Sequence, residues 1–222
     1  MEAIAQHIEV DIHSTPQRLG IGISGTHRSG KTTLARALAL ANGFSFEEST
    51  ARNVASEMGI DINSDVPFAR WLDFHEELLR RFEAEYRNKP GLFVTDRTPL
   101  DFAAYLTARV PPAMTDKYLI ARYKCFLDRC FEVCNEIFMT LLIIPPVLIY
   151  EEAEGKPVSN YAHQQAIHLL IQGMAMDERI VRQAAIMSEE VINPVDRIKW
   201  AAHMSEEALN EIYTEVKTLP RC

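Results

Sequence analysis

The sequence of 222 residues lacks a long apolar segment, an excess of positive charge and the paired cysteines of a metal or redox site. No apolar run approaches the ~20 residues that a membrane-spanning helix needs, and the amino terminus has neither the basic start nor the apolar core of a signal peptide. We therefore expect a cytoplasmic protein with no membrane partner.

The charge and cysteine content also disfavour several classes of partner. The formal net charge is −8 and the pI is near 5.4, which disfavours a broad basic surface for duplex nucleic acid or anionic lipid. A single local basic pocket is still compatible with this charge, and small or locally bound substrates are favoured instead. The cysteines lack CxxC spacing, and we expect reduced structural thiols, with the first three on one helix as core residues: Cys125, Cys130, Cys134 and Cys222.

Short apolar runs alternate with longer helical patterns along the chain, which is typical of an α/β sheet flanked by helices. The runs that predict strands are RLGIGIS, GFSFE, LFVTD, LLIIPPVLIY and AAIMS. The fourth is expected to bend at Pro145-Pro146, because proline has no N–H for a central ladder. Residues 1–18 show weak alternation in IEVDI and fit either an extra strand or a loose tail.

An amphipathic helix is predicted between Val66 and Tyr86, where apolar side chains recur every three or four residues. Its aromatic stripe includes Trp71 and His75. We interpret this stripe as core and not as a surface for stacking bases.

The segment GTHRSGKT, residues 25–32, follows an apolar strand and opens a helix, which is the context of a phosphate-binding loop. Its glycines let successive N–H groups surround an anion, and the helix amino terminus adds its positive dipole end. Lys31, with its stem exposed in the empty site, would bring charge to the outer phosphates, and Thr32 would complete a magnesium shell. The predicted nucleotide contacts are Gly25, Thr26, Ser29, Gly30, Lys31, Thr32 and Thr33.

A second element of the site follows the strand LFVTD, which ends in Asp96. A carboxylate beside a phosphate loop could hold a magnesium water or take a proton from an acceptor. Arg97 follows at once and could fork two hydrogen bonds onto a phosphate or an acceptor. The alternative is a strand-end cap with a surface ion pair.

Three segments, GTHRSGKTTLA, ESTAR and DRTPLDFAAYL, resemble the ribosylnicotinamide-kinase-like group of AAA ATP-binding proteins, and more distantly the P-loop nucleoside and thymidylate kinases. The resemblance covers the order of elements from residue 19 to about 200, within one kinase domain of residues 19–222. It implies a three-layer α/β P-loop fold with about five parallel strands, helices on both faces and a mobile lid. It also implies ATP and Mg²⁺ at the loop, and γ-phosphoryl transfer to a nucleoside, nucleotide or related small acceptor.

The same resemblance implies roles for individual residues. Glu48 and Arg52 would line the acceptor cleft, Asp101 would help to fix that cleft, and Asp96 and Arg97 would stand at the reacting centre. Because Glu48 and Arg52 are four residues apart, a helical ion pair on a solvated face is the alternative interpretation. The segment NPVDRIKW resembles the exit loop of the last strand and would border the adenine through Asn193 and Arg197.

The lid, predicted at about residues 150–160, departs from this family pattern. Kinases of this type carry arginines there that clamp the phosphates, but no arginine occurs between residues 130 and 178. Lys156 is the only lysine of that region and our candidate for the clamp. Arg179 with Arg182, or another chain in a homodimer, are the alternatives.

Two other functions fit the same residues. A kinase acting on a hydroxymethylated base within phage-type DNA would share this site, although the acidic charge counts against it. A nucleotide-hydrolysing ATPase switch would need a positioned water in place of an acceptor. No guanine-selecting N/T-K-x-D sequence is present.

Overall fold

The computed structural model describes residues 19–61, 64, 66–146 and 160–218. Within these residues the strands are β1 Gly20–Gly25, β2 Ser45–Glu47, β3 Phe93–Thr95, β4 Phe138–Ile144 and β5 Gln183–Ile186. The helices are α1 Lys31–Asn42, α2 Ala51–Glu57, α3 Phe68–Tyr86, α4 Pro99–Thr107, α5 Lys117–Ile137, α6 Tyr161–Ala175 and α7 Pro194–Thr218.

The five strands form one parallel sheet in the order β2-β3-β1-β4-β5. Strands β1 and β4 are buried at every position, as expected for parallel strands covered by helices on both faces. Strands β2 and β3 lie on one side of β1, and β4 and β5 lie on the other. The carboxyl end of β1 is therefore at the point where the strand order reverses, which is where such folds bind ligands. The predicted three-layer P-loop fold is confirmed.

The helices pack on the sheet through two apolar cores, one on each face. Ile21 and Ile23 of β1 belong to the core that contains α1 and α7, whereas the larger core contains α3, α4, α5 and α6. On that second face β1 presents Gly20 and Gly22, so a Cβ at Gly22 would lie 2.5 Å from Cγ2 of Thr98. The absence of side chains there lets the start of α4 approach the sheet closely.

The fourth strand and one cysteine differ from the sequence prediction. Strand β4 begins at Phe138 directly after α5, and it ends before Pro145, so no bend at the prolines lies within the strand. The prediction misplaced its start because apolar residues continue across the junction of helix and strand. Cys130 and Cys134 are buried as predicted, but Cys125 is exposed, so its placement in the core is wrong.

Three predicted features lie outside the described residues. These are the segment 1–18, the thiol of Cys222, and the lid with Lys156, of which only Asn160 is described. Among the helices that the structure does describe, none is long and apolar enough to cross a membrane.

Candidate active site

The phosphate-binding loop connects the end of β1 to the start of α1. Gly30 precedes the helix with φ 83°, a left-handed conformation that glycine adopts without steric cost. Ser29 folds inward, and its hydroxyl donates to the Thr26 carbonyl at 2.8 Å. The loop surrounds a cavity of about 250 Å³, here called the loop cavity, which is lined by His27, Arg28, Ser29, Gly30, Lys31, Thr32, Thr33, Arg52, Asp96 and Arg97.

Lys31 is buried against the loop itself. Its Nζ donates to the carbonyl oxygens of Gly25 and Thr26 at 2.6 Å each and lies 3.9 Å from the Asp101 carboxylate. Burial lowers the pKa of Lys31 to about 8, with Asp101 acting in the opposite direction. The expectation that its stem is exposed is wrong, because only 6% of the residue is accessible. A phosphate entering the loop must therefore draw the ammonium away from these carbonyls.

Asp96 lies directly after β3 and is held from two sides. Its Oδ2 accepts a hydrogen bond from the Thr32 hydroxyl at 2.5 Å, and its Oδ1 accepts one from the Ser49 N–H at 2.9 Å. The Thr32 hydroxyl and the Asp96 carboxylate are thus adjacent hard oxygen ligands at the loop cavity, the donor type that Mg²⁺ prefers. This pair fits the predicted metal.

A second cavity of about 320 Å³ adjoins the first, and we call it the aromatic cavity. The two cavities share His27, Arg52 and Arg97. The remaining lining residues of the aromatic cavity are Ala51, Trp71, Phe74, His75, Leu78, Phe102, Tyr105, Arg109, Asn160 and His163.

The aromatic stripe of α3 supplies one wall of this cavity. Trp71, Phe74 and His75 are buried, and Trp71 and Phe74 belong to the larger apolar core. They also line the aromatic cavity, so these core residues form part of its wall. Periodicity shows which helix face is apolar but not whether another element covers that face completely.

Two arginines stack on aromatic rings in the cavity. The guanidinium of Arg97 lies 5.6 Å from the ring centre of Tyr105, and that of Arg109 lies 4.0 Å from the ring centre of Trp71. Arg109 was not predicted as a site residue, because no motif or spacing in the sequence connects a residue after α4 with a ring on α3. Arg97 lines both cavities, so its guanidinium could contact a ligand in the loop cavity and a ligand in the aromatic cavity.

The histidines of the cavity are neutral at pH 7. His75 Nδ1 lies 2.8 Å from the Trp71 carbonyl oxygen, which only accepts, so Nδ1 carries the proton. Burial lowers the pKa of His75 to about 4. Burial likewise lowers the pKa of His27 to about 4, helped by the nearby His163. The charges on the cavity wall therefore come from arginines.

Glu48 and Arg52 were both predicted to line the acceptor cleft, but only Arg52 lines a cavity. Glu48 is on the surface, where its carboxylate pairs with Arg36 at 2.7 Å. It does not form the alternative helical pair with Arg52, because α2 begins only at Ala51. Arg52 lines both cavities, whereas Glu48 lines neither.

Asp101 lies beneath the loop and not on either cavity wall. Its carboxylate accepts hydrogen bonds from the N–H groups of Gly25 at 3.3 Å and Thr98 at 3.0 Å. Together with the Thr98 side chain it forms a capping box at the start of α4. Asp101 thus joins the end of β1 to α4, and it would influence a ligand through the position of these elements and through its charge near Lys31.

The residues predicted to border adenine lie at the start of α7. Arg197 is buried, and its Nη2 donates to the Ser29 carbonyl of the phosphate loop at 3.0 Å. Asn193 precedes the helix, and its Oδ1 accepts from the Val195 N–H at 2.8 Å. Arg197 therefore connects α7 to the loop, and its role toward adenine remains a prediction.

The parallel sheet, the glycine loop and the carboxylate after β3 together define a P-loop nucleotide-binding protein. A family model described as an AAA domain matches residues 21–132, which is half of the chain. The chain belongs to this AAA-domain family. A search of curated proteins finds no significant match.

Solved structures share the fold. The chain superimposes on NadR in complex with NAD and AMP-PNP with a TM-score of 0.61 and 19% identity, covering 85% of this chain and 49% of NadR. This chain therefore spans about half the length of NadR. Deoxyadenosine kinase from M. mycoides with bound dCTP has a TM-score of 0.57 and 12% identity, covering 86% of this chain and 99% of the kinase.

Proposed function

We propose that this protein is an ATP-dependent kinase that transfers the γ-phosphoryl group of ATP to a nucleoside, a nucleotide or a related small acceptor. The observation that carries the proposal is the contact between two cavities of different chemistry. The loop cavity is built from phosphate-binding groups, and the aromatic cavity beside it shares Arg52 and Arg97 with it. Direct transfer requires such adjacent sites, since donor and acceptor must meet in line.

On the donor side, the loop N–H groups and Lys31 would hold the phosphates of ATP. Thr32 and Asp96 would hold Mg²⁺, which neutralises phosphate charge when bound. Arg97 would donate hydrogen bonds to the phosphoryl group in transit, where negative charge spreads over its oxygens. We propose Lys156 as a further clamp from the predicted lid.

On the acceptor side, Asp96 would orient the attacking hydroxyl and accept its proton. Its carboxylate lies at the loop cavity, directly before Arg97, which borders both cavities. The rings of Trp71, Phe74 and Tyr105 would surround a planar base. A hydrolytic switch needs only a water at this place, so a preformed apolar cavity favours a kinase.

The fold relatives support a nucleoside-like acceptor. NadR structures of similar fold contain NAD with AMP-PNP, or NR, and the deoxyadenosine kinase contains dCTP. We place the reaction in cytoplasmic nucleotide metabolism. The acceptor could also be a modified base within DNA, which the following experiment includes.

The test is transfer of label from γ-labelled ATP to a panel of nucleosides, nucleoside monophosphates, ribosylnicotinamide and hydroxymethylated DNA. We expect one class of acceptor to become labelled by the wild-type protein and not by Asp96→Asn. The matched control is Asp128→Asn, because Asp128 pairs with Arg179 on the surface and lines neither cavity. The control should transfer label at the wild-type rate.

Two results would count against the proposal. Release of labelled phosphate at an unchanged rate with every acceptor would indicate a hydrolytic switch. Equal transfer by Asp96→Asn and the wild type would show that the carboxylate after β3 has no part in the reaction.

A further inference from the structure

The arginines of the described chain differ in their partners. Seven of them pair with carboxylates: Arg36, Arg80, Arg81, Arg87, Arg122, Arg129 and Arg179. The three that line the aromatic cavity are Arg52, Arg97 and Arg109, and none of them forms an ion pair with a residue that the structure describes. No aspartate or glutamate is among the described residues that line this cavity. Among the described residues that line the cavity, no carboxylate therefore balances the positive charge of these arginines.

Of these three arginines, Arg109 alone does not reach the cavity of the phosphate loop. It lines the aromatic cavity only, whereas the other two also line the loop cavity. Its Nε is buried and has no hydrogen-bond partner among the described residues, and burial lowers the pKa of its guanidinium. A cation in such surroundings is unfavourable until an anion pairs with it. Bound phosphates of ATP, which occupy the loop cavity, would not supply that anion.

We infer that the acceptor carries a carboxylate on the ring that enters the aromatic cavity, and that Arg109 binds this carboxylate, an inference that rests on the proposed kinase function. The guanidinium carbon lies 4.0 Å from the ring centre of Trp71, and Nε has no hydrogen-bond partner among the described residues. The N–H groups of Arg109 can therefore form two parallel hydrogen bonds to one carboxylate. The low-polarity wall strengthens such a pair. Arg109 would then determine specificity and would not touch the reacting atoms.

The same charges disfavour a cationic acceptor. A ring with a net positive charge, such as the pyridinium of ribosylnicotinamide, would enter a cavity whose only charged described side chains are three guanidinium groups. A carboxylate on that ring would neutralise it and supply the anion for Arg109. Among otherwise equal ligands, the carboxylate form should therefore be preferred.

The experiment is isothermal titration calorimetry with two matched pairs of ligands. Ribosylnicotinate is compared with ribosylnicotinamide, and orotidine with uridine, since each pair differs by one carboxylate. We expect the wild-type protein to bind one carboxylate member at least tenfold more tightly than its partner. Arg109→Gln should remove this preference while leaving the affinity for neutral uridine within about twofold, and Arg109→Lys should restore part of the preference.

The control variant is Arg80→Gln, which removes an exposed arginine of α3 and should keep the wild-type preference. Equal affinities within both pairs, or no binding by either carboxylate member, would overturn the inference. So would a preference that survives in folded Arg109→Gln, with folding checked by circular dichroism. Because calorimetry needs no turnover, a carboxylate preference without any labelled product would instead count against the kinase proposal alone.

Discussion

The titration of His75 offers a quantitative test of the interior of the aromatic cavity. The residue is 3% exposed, and burial lowers its pKa from 6.5 to about 4. Below pH 6.5 the unfolded chain binds a proton that the folded chain does not, so the native state loses stability as the pH falls from 6.5 toward 4, and the loss is absent above that window. Between pH 7.5 and pH 5 these pKa values correspond to a loss of about 2 kcal/mol from this residue.

Urea unfolding of the wild type and of His75→Phe at both pH values measures this effect. The variant should lose about 2 kcal/mol less unfolding free energy than the wild type over this interval, whatever its absolute stability. Leu40→Ala changes an exposed, uncharged side chain of α1 and should keep the wild-type pH dependence. If His75→Phe and the wild type show the same pH dependence, the ring is not a buried neutral group and the described cavity wall is incorrect.

Three further substitutions test other parts of the structure. Lys31→Met should abolish transfer and leave the protein folded with a lowered urea midpoint, because the buried Asp101 carboxylate and two loop carbonyls lose their partner; near-native turnover would exclude the loop as the active site. Arg97→Ala should weaken acceptor binding and lower kcat while ATP affinity changes little, and an unaltered acceptor KM would contradict its place between the cavities. Gly22→Ala should cost about 1–3 kcal/mol in chemical denaturation through contact with Thr98, whereas Gly43→Ser, where a Cβ meets nothing within 4 Å, tests backbone strain alone.

The local parts of this structure could be predicted from the sequence. The phosphate loop depends on glycines and a lysine at fixed spacing, and Pro99 marks the start of α4, because each of these signals acts on its own neighbours. Strands β1 and β3 were recognisable since buried parallel strands are apolar on both faces. The Thr32–Asp96 contact followed from the topology that places both at the same edge of the sheet.

The aromatic cavity could not be predicted in the same way. Its wall combines Trp71 of α3 with Arg109 after α4, and only tertiary packing brings them to 4.0 Å. The partner of Glu48 was missed for a related reason, because Arg36 reaches it from α1 across the chain. The retracted position of Lys31 depends on loop carbonyl oxygens, which sequence patterns do not place.

The central claim, that the two adjacent cavities transfer a phosphoryl group between substrates, is tested most directly by counting products. ADP, inorganic phosphate and phosphorylated acceptor are measured together in one reaction of the wild-type protein with ATP, Mg²⁺ and the labelled acceptor class. We predict one phosphorylated acceptor for each ADP, with less inorganic phosphate than in the reaction without acceptor, because a bound acceptor excludes water. ADP and inorganic phosphate in equal amounts, with or without acceptor, would contradict the claim.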